Sequence, residues 1–335
     1  MINIDKNIVL VKCYVSKFNK NPYDIQNTNY NLYCNFEVIW GDKMSYLYIC
    51  NASTDTISKV RLNGFAETYR IKLGISNVDR VGPHGICTFK ENLLVANNFN
   101  NSISILKDDK EIESQYIGSH CNDIGVFKNN AYIICGESNC IIVFDLVNKK
   151  VIEQIACEDS PHSISFDYRN QKMLISNMQS DSLTLIDCVN RENIRHIRVG
   201  AYPTKAVFSV NGEYIYVCES NLGGYERGNI SVISSSNYKV LYKIPVGYSP
   251  VDMDCDKDNC YISNFGEGTV SIVNINNYKQ IKKINVGGMP RSIKRVGEYL
   301  YVGDSYNNQL LQINILTENK KAINIGGEPT GMALG

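Results

Sequence analysis

The chain has 335 residues, 44% apolar, 10% aromatic and 20% charged, a composition that can bury a large core and is not that of a disordered tail. Lysine plus arginine and aspartate plus glutamate both number 34, so there is no basic field to hold a phosphate backbone, and nucleic acid is not an expected partner. The opening Met1-Ile-Asn-Ile-Asp-Lys lacks an export signal and no run of about 18 apolar residues occurs, so neither a membrane nor secretion is expected, and a cytoplasmic location is.

The first apolar segments are Ile8-Val-Leu-Val and Tyr30-Asn-Leu-Tyr, followed by a weakly anchored unit at Phe36-Glu-Val-Ile-Trp and Tyr46-Leu-Tyr-Ile. From there a short unit recurs: a Gly and usually a Pro, an apolar stretch, a Tyr-rich strand, a polar turn, then an alternating apolar strand. Its anchors are Pro83, Asn122 as a stand-in, Pro161, Pro203, Pro250, Pro290 and Pro329, separated by 39, 39, 42, 47, 40 and 39 residues. That period is the one expected of four-stranded propeller blades, and β-branched residues and Tyr dominate every apolar run. The fold class is therefore all-β, a β-propeller of four-stranded blades.

The copy Val246-Gly-Tyr-Ser-Pro, Cys260-Tyr-Ile-Ser-Asn and Thr269-Val-Ser-Ile-Val-Asn resembles the YVTN β-propeller repeat family almost position for position. The resemblance covers residues 35–335 and implies the architecture, but no particular activity, since such propellers host many functions. The 89 residues from Pro329 through the C-terminus and on to Pro83 hold about two average repeats. Eight blades are therefore favoured, with seven as the alternative that the family resemblance prefers. In either reading the whole chain is one domain: with eight blades residues 1–34 supply strands that complete the closing blade with the C-terminal Gly331-Met-Ala-Leu, and with seven they form an extra arm. Such closure leaves no free sheet edge.

Twelve cysteines without an export signal are expected to be reduced thiols. Cys50, Cys135 and Cys218 follow Tyr-rich strands where other copies place Ala96, Ser176, Ser263 and Gly303, a column that selects small side chains. A ring formed by Asn51, Asn97, Gly136, Asn177, Glu219, Asn264 and Asp304 matches the Asn of the family unit and is expected to cap its own backbone.

The residue after each anchor opens an innermost strand, so His84, Asp123, His162, Thr204, Val251, Arg291 and Thr330 should ring one mouth of the central channel, with Lys205 and Asp252 in the next column. His84, Asp123 and His162 form the candidate catalytic and metal-ligating set. Two imidazoles and a carboxylate suit a divalent metal with open positions, as Lewis-acid chemistry requires. The competing reading is that these polar side chains only bond neighbouring backbone. A mixed site of His120, Cys121 and Cys157 is disfavoured, because the chain has no Cys-x-x-Cys and no short His-x-His spacing, and His196 is expected on an outer strand.

The long turn Ser220-Asn-Leu-Gly-Gly-Tyr-Glu-Arg-Gly is the clearest departure from the repeat, and Tyr225, Glu226 and Arg227 join Lys205, Asp252 and Arg291 as candidate ligand-binding residues. No nucleophile elbow, Walker loop, zincin motif or dinucleotide fingerprint is present. The favoured function is a binding or scaffold propeller that presents one channel mouth to a small molecule or protein. The alternative is a metal-assisted hydrolase, lyase or isomerase of lactonase-like type.

Overall fold

A computed structural model describes residues 45–74 and 80–335, and every regular element among them is a β-strand. The strands form seven four-stranded antiparallel sheets. We number these blades along the chain: blade 1 (residues 46–72 with 329–334), blade 2 (83–116), blade 3 (121–156), blade 4 (161–198), blade 5 (203–245), blade 6 (250–285) and blade 7 (290–324).

Blade 1 is built from both ends of this span. Its innermost strand is the C-terminal Pro329–Leu334, which pairs with Tyr46–Asn51. Inner strands of successive blades touch all the way round, including blade 7 with blade 1 and blade 1 with blade 2, so the ring closes at seven. The expectation of eight blades is thus corrected. One blade fills the interval that average repeat length divides into two, because the ring is complete without residues 1–44. Closure by mixed ends holds, but the partner strands begin at Tyr46. The segments near Ile8, Tyr30 and Phe36 lie outside the described residues.

The burial pattern explains why these sequences make blades. The two middle strands are buried on both faces, as in Asn92–Asn97 and Ser102–Lys107, because each blade packs against a neighbour on either side. Outer strands alternate, as Lys110–Tyr116 does between exposed and half-buried positions, because one of their faces meets water. The core is accordingly divided into seven apolar clusters, one in each seam between blades.

Every innermost strand carries one irregularity at the same place. Its first residue pairs with the end of the second strand (Pro83 with Asn97, Pro161 with Asn177, Pro290 with Asp304), and its third, or in blade 1 its fourth, Met332, resumes the ladder one position out of step. The second residue is an extra one, a bulge that re-aims its side chain at the mouth of the channel. The residue before the strand is left-handed in six blades: Gly82 (φ 64°), His120 (61°), Ser160 (56°), Tyr202 (54°), Ser249 (49°) and Glu328 (53°).

This geometry moves blade 3 by one residue. Cys121 pairs with Cys135 as Pro83 pairs with Asn97, and left-handed His120 precedes it. Cys121, and not Asn122, therefore occupies the anchor position; Asn122 is the bulge residue and Asp123 belongs to the next column. Likewise Cys135 occupies the Asn position, and Ile134 the small-residue column. The thiol expectation needs one change as well. Cys255 and Cys260 face each other at the end of a hairpin, with Cα atoms 4.2 Å apart, and are joined as a disulfide. The other eight described cysteines are free.

Candidate functional site at the channel mouth

The bulge ring consists of His84, Asn122, His162, Thr204, Val251, Arg291 and Thr330. Most of its polar members are bonded to the next blade. The Nδ1–H of His84 donates to the Asn122 carbonyl (2.6 Å), Asn122 Nδ2 to the Pro161 carbonyl (3.1 Å) and the Nδ1–H of His162 to the Thr204 carbonyl (2.9 Å). Thr204 Oγ1 donates to the Pro250 carbonyl (3.0 Å) and Thr330 Oγ1 to the Pro83 carbonyl (3.1 Å). These bonds lace inner strand to inner strand around the ring.

Two positions stand outside the lacing, Val251 and Arg291. Arg291 reaches back across blade 1, where its Nη2–H donates to His84 Nε2 at 3.3 Å. No carboxylate among the described residues forms an ion pair with it. Burial lowers its pKa, partly offset by the charge of Glu328, an exposed residue, but a guanidinium keeps its proton.

His84 and His162 are brought together as the sequence suggested, with ring centroids 5.9 Å apart and an edge-to-face angle of 82°. Burial, and then the Arg291 cation, holds His84 well below the ordinary imidazole pKa. Burial also lowers His162, against its bond to Thr204 and the nearby Asp123. Both rings are neutral at pH 7. Since each Nδ1 carries the proton, each Nε2 presents a lone pair; that of His84 accepts from Arg291.

The next column contains a separate ionic cluster. Lys205 Nζ lies 3.8 Å from carboxylate oxygens of both Asp123 and Asp252. Blades 3 and 6 stand almost opposite in the ring, so the ammonium bridges the channel between them. Each carboxylate also caps a neighbouring blade: Asp123 accepts from the Ile164 N–H and Asp252 from the Ile293 N–H, both at 3.0 Å. Burial would depress the Lys205 pKa, but Asp123, Asp252 and Asp254 outweigh it and raise it. Burial raises Asp252, against the pull of Lys205 and two backbone N–H groups.

Asp123 is therefore engaged with Lys205 and backbone, and among the described residues no three His, Cys, Asp or Glu side chains converge as a metal site. His120 and His196 are half exposed, facing Glu137 and Glu158 respectively.

The long turn lies on the same face as the bulge ring, since both cap the ends at which inner strands begin. Its base is fixed: the Gly228 backbone packs so closely on Pro250 that a Cβ there would lie 2.2 Å from its ring. Arg227 leans onto blade 6, 3.8 Å from Glu267 and 5.5 Å from the Tyr248 ring centroid. Tyr225, 99% exposed, and Glu226 project into solvent, so the structure does not join them to the hub.

The Asn ring is structural. Asn51, Asn97, Asn177 and Asn264 each donate to a pair of hydroxyls on the third strand, as Asn97 does to Ser102 (2.9 Å) and Ser104 (2.7 Å). Glu219, 3% exposed, takes the same place in blade 5 and holds Gly200 N–H, Ser231 and Lys243. In blade 3 this polar cluster is replaced by Cys121, Cys135 and Cys140 in one row across three strands. The sequence concealed that substitution because it lacks the anchor Pro and the Asn together.

No family model and no curated protein matches the chain. Solved structures do. Hydrazine synthase of Kuenenia stuttgartiensis superposes with a TM-score of 0.67 at 19% identity, over 84% of this chain and 92% of that one. A protein of unknown function from Desulfotomaculum acetoxidans gives 0.70 at 14%, over 87% and 98%. A streptogramin B lyase gives 0.66 at 13%, over 87% and 91%. At these identities the likeness concerns the fold alone, and enzymes and proteins of unknown function share it: the chain is a seven-bladed β-propeller.

Proposed function

We propose that this chain is a binding propeller of YVTN type whose bulge-ring face receives a small molecule at the channel mouth. The observation that carries the reading is Arg291. Other polar members of the ring spend a side-chain donor on a neighbouring backbone, whereas this guanidinium and the Nε2 atom of His162 retain bonding capacity directed at the mouth. Native mass spectrometry of the gently purified chain tests it. A small-molecule adduct that is lost in Arg291→Ala is expected; wild type that carries no adduct and is stabilised by no compound of a metabolite library refutes it.

The juxtaposed imidazoles favour a second reading, acid–base or metal-assisted chemistry by His84, His162 and Asp123. Elemental analysis separates the two. Stoichiometric metal in wild type that disappears in the His84→Ala/His162→Ala double variant would select the enzyme; no metal in either leaves the binding reading in place.

A further inference from the structure

The electrostatics of the mouth narrow the ligand. Lys205, deeper in the channel, already has two carboxylates. Arg291 has no carboxylate in an ion pair among the described residues, only the charge of exposed Glu328 acting on it, and its one bonded neighbour is a neutral ring that offers a lone pair. A part-buried cation with no carboxylate paired to it is costly, and an incoming anion lowers that cost while using the planar fork of N–H donors.

Charge count favours a single negative charge. The mouth supplies one cation, Arg291, that no carboxylate among the described residues pairs with. Below it, Asp123 and Asp252 outnumber Lys205, and beside it stands the lone pair of His162 Nε2, that of His84 already accepting from Arg291. A dianionic phosphate would place surplus negative charge against all of these, whereas a carboxylate neutralises Arg291 and leaves nothing over. The unused Nε2 of His162 has no proton to give, so it calls for a donor on the same molecule.

Resting on the binding function proposed above, we propose that the ligand is a small organic carboxylate bearing a hydroxyl or amino donor close to it, with the carboxylate on Arg291 and the donor on His162 Nε2. Val251, the neighbouring ring position on blade 6, forms no lacing bond and contributes an apolar wall to the same mouth.

The test is isothermal titration of the full chain in chloride-free buffer at pH 7.5 with acetate, L-lactate and inorganic phosphate. Lactate is expected to bind more tightly than acetate, and phosphate more weakly than either. Arg291→Met should weaken lactate about tenfold or more, the worth of one charge-assisted contact. Val251→Glu, which supplies an internal carboxylate on the blade beside Arg291 without replacing a side chain that laces the ring, should abolish lactate binding while the fold melts as in wild type. Lactate binding unchanged in both variants, or phosphate binding as tight as lactate, overturns the assignment. If no carboxylate binds while a native adduct still depends on Arg291, the ligand class is wrong and the binding mouth stands; if the adduct is absent too, both fall.

Discussion

Gly331→Ala should loosen the ring at its closure. Gly331 lies on the last strand, facing blade 2, and a Cβ there would come 2.4 Å from the His84 carbonyl oxygen and 3.3 Å from the Gly85 Cα and the Ile86 nitrogen, all of them backbone. Side-chain repacking cannot relieve that contact, so the two inner strands must part by most of an ångström. The Thr330 hydroxyl, next along the chain and 3.1 Å from the Pro83 carbonyl, then loses its bond. Overpacking costs about 1–3 kcal/mol and the lost bond about 1 more, so the variant should be destabilised by about 2–4 kcal/mol. For a domain of this size that is a fall in Tm of about 4–16 °C. Urea unfolding followed by circular dichroism measures it, with Thr330→Val, which removes the hydroxyl alone, as the partial control near 1 kcal/mol. A loss below about 0.5 kcal/mol, within the range of ordinary surface substitutions, would mean that the seam between blades 1 and 2 is not close-packed and would refute the closure argument.

Glu267, in the turn that receives Arg227, has its pKa lowered: burial opposes this, but the hydrogen bond and charge of Lys283, with Thr269 and Arg227, prevail. A depressed folded pKa contributes stability above the unfolded value, near 4.3, that is lost as pH falls through the folded one. Acid unfolding between about pH 5 and 3 should therefore be less steep in Glu267→Gln, by up to about 1 kcal/mol for this part-exposed group; identical profiles would refute it. Burial pushes the thiols of Cys87, Cys157 and Cys188 up to about 12. At pH 8 iodoacetamide should alkylate them about a thousandfold more slowly than a peptide thiol, since only the thiolate reacts. Peptide mapping of the native chain checks this, and rapid labelling would mean that these seams open.

The anchors made the fold legible, because a Pro that opens six of the seven inner strands marks the period whatever else varies. Blade number was not legible in the same way. Spacing alone cannot say whether an interval between the last anchor and the first holds one blade or two, which depends on the pairing of Pro329–Leu334 with Tyr46–Asn51. The column position of Asp123 failed for a local reason: blade 3 has Cys121 where the others have Pro, and only the bulge register shows it. His84 and His162 were found as a pair because equivalent repeat positions must be neighbours in a closed ring. The isolation of Arg291 was hidden, since it depends on which carboxylates from distant blades reach it. The Cys255–Cys260 bridge was masked by reading compartment before register; opposite places on one hairpin bring the sulfurs together irrespective of the other ten cysteines.

The bulge at the second residue of each inner strand has a consequence for how such a protein diversifies. It separates the residues that face the mouth from those that fill the seams, so seven sites far apart in the gene become neighbours in one small circle, and each can mutate alone. Five of them are tied to an adjoining strand and resist change. The positions of Val251 and Arg291 are not, and they give a lineage, or a designer, two adjacent letters to rewrite while the rest of the wheel stays as it is.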